Sequence, residues 1–542
     1  METLPKPIRS FPVMRSRVAL VVACVAFPVL FRLLLAIWVV HPSPAVEDEF
    51  SYLLAADTFA LGRLTNPPHP MWKHFETFHV LQQPTYASKY PPGQGMILAV
   101  GQVLFGDPLI GVWLSAGFMC GAICWMLQAW LPPNWVLVGV LLAIIEYVIG
   151  FYWMESYWGG CLAAAGGALV VGAIPRLLRH RRRFTAALML GFGLAILAMT
   201  RPYEGGLLAI SAGGVGLWQI AKNKRATSLR ALGISLVPTA IVLVVTAGFL
   251  MLYNWRITGH ASEFPYMLYE HRYRSGQLLF RWQQKVSVAP AFNNPAMQRL
   301  YDFEHRLIAK SLTWHGTAGQ IVQILNLRWF WMVWRLNVFV AVAPLVMMPW
   351  LIRQRKMLLP LICFGVLVVG LSLSTIYQEH YAAPITAVKI LLAVESLRRL
   401  TVALWTPFRR FRLLPLLRLR QLSLIMSGVL LLVIVRHSLN FSFPPDQKLR
   451  GISVERPRIL SELNRLPGKH LVLVRYEPAH DPRVEWVYNA ANIDQSKIVW
   501  ARDLDAASNA ELLRYFHDRR IWLLQPDDVL PRLQPSRAPV IR

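Results

Sequence analysis

The sequence predicts an all-α polytopic membrane protein of about eleven transmembrane helices, followed by a small extracytoplasmic α/β domain. Three observations lead there. The chain is 55% hydrophobic with a mean hydropathy of +0.40, and many apolar runs approach or exceed the roughly 18 residues that cross a bilayer. Most arginines and lysines of this +27 chain gather in short loops on one predicted side, while the acidic groups Glu47 to Glu49, Glu155, Glu204 and Glu379 fall on the other. The last stretch, residues 438–542, is polar and of about the length of a small domain. The alternation of a membrane barrel is absent. Basic residues sited in membrane loops speak for orientation rather than for nucleic acid.

Lys6, Arg9, Arg15 and Arg17 precede the first apolar run, Val18 to Val40. That run exceeds a signal-peptide core and lacks a small-residue cleavage site, so it reads as a retained helix with a cytoplasmic N-terminus. His41 to Gly93 is polar and outside. Within it Asp48 to Leu61 predicts a short helix, because Tyr52, Ala55, Ala56 and Phe59 recur at spacings of three and four. Gln94 to Phe105 is too short to span and is placed at the interface. Spans are then expected at Leu109–Leu131, Val136–Phe151, Gly159–Ile174, Ala186–Met199, Leu207–Ile220 and Leu232–Leu252. After an outer segment, Asn254 to Arg328, come Trp329–Leu351, Leu358–Ile376, Ala382–Leu397 and Leu422–Arg436. Residues 1–437 thus form a membrane domain with two long outer loops, 41–106 and 254–328. In 438–542, His470–Tyr476, Lys497–Trp500 and Ile521–Leu524 read as strands. Ser508 to Glu511 has capping-box spacing before a helix. The cysteines Cys24, Cys120, Cys124, Cys161 and Cys363 all lie in apolar runs and imply no disulfide framework.

Chemistry concentrates at the predicted outer ends of the spans. Val46-Glu47-Asp48-Glu49-Phe50 follows directly on the first span. Asp48 and Glu49 are the foremost candidates: one deprotonates an acceptor, and apolar walls with a neighbouring carboxylate are expected to raise its pKa. The competing reading is a helix N-terminal charge. Lys89-Tyr90-Pro91-Pro92-Gly93 places a lysine where it meets an anionic phosphate or snorkels to water. Arg201 either pairs with Glu204 within a tight outer turn or binds phosphate. Glu155 sits in an aromatic belt, and His380 assists catalysis or caps an aromatic turn. Outer aromatics such as Trp72, Tyr86, Trp153, Tyr157, Trp158, Tyr266 and Trp314 suit either sugar stacking or the interface.

These motifs resemble the GT-C membrane glycosyltransferases, a superfamily that includes bacterial aminoarabinose and core-galacturonosyl transferases and protein O-mannosyltransferases. The resemblance rests on Asp48-Glu49 after the first span, with Tyr52 following, and on Lys89 with Pro91-Pro92, Tyr90 being inserted. Tyr157-Trp158-Gly159-Gly160 and Arg201-Pro202-Tyr203-Glu204-Gly205 complete the pattern. It implies a fold like theirs, a polyprenyl-phosphate-linked sugar as donor, Asp48 as base and Lys89 at the donor phosphate. It further implies a bacterial inner-membrane protein with a periplasmic C-terminal domain, moving sugar to a lipid, glycan or protein acceptor. Members differ in whether they use a divalent metal, and no ligand-spaced His or Asp motif specifies one here. The competing class is a transporter or flippase of lipid-linked glycans, which calls for charges deep in the spans and repeated halves. A non-catalytic envelope-assembly protein is the third.

Overall fold

The structure is a computed structural model that describes residues 16–38, 42–149, 152–178, 183–222, 229–273, 292, 294–312, 343–374, 378–410, 447–528 and 530–535. It opens with α1 (Arg17–Leu35), whose first turn is capped by Ser16, its hydroxyl accepting from the Ala19 N–H. The acidic stretch begins α2 (Glu47–Ala60), where carboxylates suit the helix N-terminus. A two-stranded antiparallel hairpin, β1 (Val80–Leu81) and β2 (Ala87–Ser88), follows. Pro92 then opens α3 (Pro92–Phe105), since a proline at the first helical positions forfeits no bond. Next come α4 (Pro108–Leu127) and α5 (Pro133–Ile144), the latter ending in a π-helical turn, Ile145–Ile149. The bundle continues with α6 (Cys161–Leu178), α7 (Arg183–Thr200), α8 (Pro202–Lys222) and α9 (Leu229–Thr258). Beyond it lie α10 (Pro265–Tyr273), α11 (Pro295–Leu312), α12 (Leu358–Leu373) and α13 (Thr386–Arg410).

Among the described residues six helices are long and apolar enough to cross a membrane: α1, α4, α6, α7, most of α9, and Arg355–Leu373 through α12. The chain is therefore a multi-pass membrane protein. Of the expected spans, Leu422–Arg436 lies outside the described residues, as does the outer aromatic Trp314, and Trp329–Leu351 is described only from residue 343. The Gly- and Ala-rich α6 packs against α7 through facing glycines. A Cβ on Gly193 would sit 2.8 Å from the Gly166 carbonyl oxygen, so only small residues permit this approach. The expected tight turn at Arg201–Gly205 is instead a helix junction. Arg201 N–H donates to Leu197 O, Gly205 N–H donates to Arg201 O, both at 2.8 Å, and Pro202 starts α8 between them.

The C-terminal part builds α14 (Gln447–Arg465) and a four-stranded sheet of β3 (Lys469–Val474), β4 (Ile498–Arg502), β5 (Arg519–Leu524) and β6 (Leu533–Pro535). The order is β4-β3-β5-β6, with β3 parallel to both neighbours and β6 antiparallel to β5. The three expected strands are all present; β3 is buried along Leu471 to Val474, as a strand between parallel neighbours should be. The helix between β4 and β5, α15 (Ala506–Tyr515), is capped by Asp505 and not by Ser508. Asp505 Oδ1 accepts from the N–H groups of Ala507 and Ser508, and the Ser508 hydroxyl donates to Asp505 Oδ2 at 2.6 Å. The ionised carboxylate is the stronger acceptor and takes the cap.

This sheet shares its core with α2. Phe50, Leu54, Phe75, Val80 and Tyr86 pack with Ile459, Leu471, Trp486 and Trp500. Phe50 stacks on Tyr488 with centroids 4.2 Å apart, and Asp57 Oδ2 accepts the Ala491 N–H at 2.6 Å. The opposite face of α2, with Tyr52 and Ala56, joins the helical bundle core. The acidic end of α2 is thus fixed from both sides.

Candidate active site

Two close approaches define the site. A Cβ on Gly95 would lie 2.7 Å from the Ala55 Cβ, and one on Gly93 would lie 2.7 Å from Thr200 Cγ2 and 2.8 Å from the Met199 carbonyl oxygen. Only glycine lets the start of α3 wedge between α2 and the end of α7. The segment just before it, Lys89-Tyr90-Pro91, carries the Tyr90 hydroxyl onto Asp48, and Tyr90 acts through space on Arg201.

Asp48 is about a quarter exposed and lies 2.6 Å from His79 Nδ1. The Tyr90 hydroxyl donates to the same carboxylate oxygen, Oδ1, and sits 3.1 Å from His79 Nδ1. His79 is held in the left-handed region at φ 60°, a conformation that costs a non-glycine residue of order 1–3 kcal/mol. Its backbone is pinned to sustain it. The Ser51 hydroxyl and the Lys89 N–H donate to His79 O at 2.6 and 3.2 Å, and His79 N–H donates to the Tyr269 hydroxyl at 2.9 Å. Burial pushes the Asp48 carboxyl up, but the His79 charge and the hydrogen bonds from His79 and Tyr90 outweigh it, so the group is held below the ordinary aspartate range. This reverses the expectation of a raised value: the partner that decides it is a histidine far along the chain, not the adjacent carboxylates.

Glu49 has a different task. Its Oε2 accepts from the Ala45 and Val46 N–H groups at 2.8 and 3.3 Å, and Oε1 accepts the Tyr157 N–H at 3.0 Å. It closes the first turn of α2 and ties it to the Tyr157–Gly160 loop, whose Tyr157 carbonyl accepts from Gln94 Nε2 at 2.9 Å. Burial pushes Glu49 up to about 7 against those three bonds, and burial with the Asp48 charge pushes Glu47 up to about 7 as well.

Lys89 is buried, with Nζ 3.4 Å from Glu270 Oε1, both side chains being 2% exposed. The rings of Tyr90, Tyr266 and Tyr269 surround the ammonium at 5.4, 4.9 and 4.5 Å. Arg201 is half-buried, and its guanidinium lies 4.8 Å from the centroid of the Tyr381 ring. Glu204 is buried within α8; it interacts with Arg201 through space, but among the described residues the two form no ion pair. Tyr52 stacks on Tyr90 at 4.4 Å. His380 is buried, 4.9 Å from both the Trp158 and Tyr381 rings. Burial and the Arg201 charge hold it well below the ordinary histidine range, with Asp48 pulling the other way.

The structure therefore brings Asp48, Tyr52, Lys89, Arg201 and His380 together, with Glu49 as the support beneath Asp48. Glu155 lies apart: its Oε1 accepts from Arg32 Nη1 at 3.0 Å and fastens its loop to α1. The side chain of Glu379 is outside the description. His79, Glu270 and Tyr269 belong to the site and were not singled out from the sequence. Among the described residues no three His, Cys, Asp or Glu side chains are grouped as metal ligands.

No protein-family model and no curated protein matches the sequence. Solved structures do resemble it. One is ArnT from Cupriavidus metallidurans in the apo state, 14% identical over 93% of each chain with a TM-score of 0.49. Bound to undecaprenyl phosphate, ArnT matches at 14% identity over 94% of this chain and 92% of that one, with a TM-score of 0.48. Another is the oligosaccharyltransferase AglB from Archaeoglobus fulgidus, in complex with an inhibitory peptide and a dolichol-phosphate. It is 10% identical over 95% of this chain and 70% of that one, with a TM-score of 0.45. Each of these likenesses has a TM-score under 0.5. At such identities and TM-scores they add nothing about the reaction, for which the residues above are the basis.

Proposed function

We propose that the protein is a glycosyltransferase of the bacterial inner membrane, moving a sugar from a polyprenyl-phosphate donor to a lipid, glycan or protein acceptor outside the cytoplasm. The observation that carries this reading is the gathering of a partly exposed Asp48 and a half-buried Arg201 about the stacked Tyr52 and Tyr90 rings, both charges acting through space on Tyr52. Transfer from a sugar phosphate needs the acceptor activated and the leaving phosphate held, because phosphate is already a good leaving group. The Asp48 cluster takes the acceptor's proton, which leads to inversion in a single displacement. Arg201 meets the phosphate, and Lys89 adds its charge when Glu270 yields. Glu49 acts by positioning the turn that carries Asp48.

A flippase would place its charges deep in the spans, and an assembly scaffold would have no use for the acid–base cluster. The test is transfer by the purified full chain in nanodiscs, using a panel of radiolabelled polyprenyl-phosphoryl hexoses and pentoses with envelope lipids and glycans as acceptors. Label should move to acceptor with one donor and release polyprenyl phosphate. Donor that crosses the bilayer without losing its sugar would establish the flippase instead.

A further inference from the structure

A second gathering of charge lies at the other end of α12. The Tyr203 hydroxyl donates to the Gly370 carbonyl at 2.9 Å, so the last turn of α12 lies beside the start of α8, next to Arg201. Lys356 stands just before α12 begins, roughly 20 Å back along the helix at a rise of about 1.5 Å per residue. That is most of the thickness of a hydrocarbon core. There the segment Trp350–Lys356 runs along α13 and is pinned to it at both ends. The Arg399 guanidinium lies 4.3 Å from the Trp350 ring centroid, and Lys356 Nζ lies 3.3 Å from Glu395 Oε1. Arg353 and Arg355 fall between these two contacts and are exposed.

Five cations thus stand against one carboxylate, for Glu395 is the sole acid of residues 343–374 and 386–410. Residues 128–139, which reach α13 where Gly139 meets Ile390 and Val394, bring no other. Glu395 is already met by Arg398, which donates to both its oxygens at 2.6 and 2.7 Å. Arg399 places only Nε on Glu395, at 3.3 Å, and keeps both amino groups without an acceptor among the described residues. The ammonium of Lys356 has hydrogens to spare beyond its one contact. Planar guanidiniums and an ammonium suit the oxygens of a phosphodiester. The surroundings suit its acyl chains: Leu345, Val346 and Ile352 on the same stretch are exposed, and tryptophan, here Trp350, is the residue of the headgroup level. A free anion would have no use for that apolar flank.

We propose that this corner binds the headgroup of an anionic phospholipid in the leaflet opposite the Asp48 site. Arg353, Arg355, Lys356 and Arg399 meet its phosphate, and Leu345, Val346 and Ile352 meet its chains. Glu395 and Arg398 form the base that fixes Lys356 and Arg399. The site is separate from the proposed transfer reaction and stands or falls without it.

The test uses the full chain in nanodiscs of phosphatidylcholine doped with phosphatidylglycerol, with retained lipid identified by native mass spectrometry. Wild type should retain phosphatidylglycerol over phosphatidylcholine, and the preference should weaken as salt is raised. Arg353→Gln with Arg355→Gln touches no contact of Glu395, so the melting temperature should hold while the preference falls about tenfold or more. Arg514→Gln with Arg520→Gln, which removes two exposed charges from the C-terminal part, should leave it within threefold. Equal retention of the two lipids by wild type, or an unchanged preference in the first double variant, would overturn the proposal. An equal fall in the second would show a diffuse field and no site. Displacement of the lipid by inorganic phosphate would assign the corner to a free anion, and displacement by undecaprenyl phosphate would assign it to the carrier; either result removes the phospholipid.

Discussion

Two carboxylates, Glu395 and Asp48, are handled in contrasting ways. Glu395, fully buried in α13, is ringed by cations. Arg398 donates to both its oxygens at 2.6 and 2.7 Å, and Arg399 and Lys356 stand at 3.3 Å. Every partner is a long side chain from the same helix or the short turn before α12, and the arrangement needs nothing else. Among the described residues, Asp48 has a strained histidine and a tyrosine as direct partners and stays partly exposed. Burial of charge alone does not mark a reactive centre. What distinguishes the Asp48 corner is that its carboxylate stays partly exposed and that backbone strain is spent on holding one ring in place.

The sharpest way to break this contrast is to neutralise each carboxylate in turn. Asp48→Asn should cut sugar transfer by about 10³-fold, with thermal stability and binding of undecaprenyl phosphate close to wild type. Glu395→Gln should do the reverse. It removes the charge-assisted hydrogen bonds of cations that are themselves partly exposed, a loss on the order of 1.5–3 kcal/mol, so the melting temperature should fall while turnover per folded molecule stays within about threefold. Equal loss of stability in both variants would show that Asp48 is as structural as Glu395, and the site assignment would fall.

A gentler perturbation concerns Lys89. Its ammonium is matched by Glu270 in the present structure, so a donor phosphate must compete with that carboxylate. Glu270→Gln should release the positive charge and tighten undecaprenyl phosphate about tenfold, a change of roughly 1.4 kcal/mol, measured by isothermal titration in nanodiscs. Weaker binding would mean that Glu270 holds Lys89 in a productive position, and Lys89 would then act through packing on its three tyrosines.

Much of this was legible in the sequence, for reasons that also explain the gaps. Spans announce themselves because lipid demands unbroken apolar length, and the α2 helix does so through the spacing of Tyr52, Ala55, Ala56 and Phe59. The strands β3, β4 and β5 show as short apolar runs. Asp48 could be singled out because it follows directly on a span. His79 could not: it is one of several histidines in an aromatic loop, and it reaches Asp48 only because Val80 pairs with Ser88 and Ser51 bridges the hairpin. Glu270 lies 181 residues from Lys89, a separation across which charge pairing leaves no local pattern. The sign of the Asp48 shift was misread for the same reason. Sequence displays the apolar walls and the neighbouring glutamates but hides His79, whose charge and hydrogen bond, with that of Tyr90, outweigh burial. The shared core of α2 and the C-terminal sheet was equally invisible, since Phe50 and Tyr488 each read as an ordinary apolar position.

Glu49 offers the smallest effect and the most specific one, because its contribution depends on pH with a sign opposite to that of most native carboxylates. Burial lifts it from an ordinary value near 4.5 to about 7 in the folded chain. Between those values the folded state retains a proton that the unfolded state has released, so stability from this group is present below about pH 4.5 and is lost as pH rises towards 7. Glu47, raised to about 7 by burial and the Asp48 charge, has the same sign. Glu49→Gln carries no titrating proton and keeps an oxygen for the Ala45, Val46 or Tyr157 N–H groups. It should therefore reduce, without abolishing, the fall in melting temperature between pH 5 and pH 7.5, by a few degrees for a loss of this kind. Transfer activity at pH 7 should survive, since Asp48 and His79 are untouched. A wild-type melting temperature that climbs over the same interval would mean that the three N–H donors hold Glu49 ionised, and its part in the site would be that of an anion fixing the first turn of α2.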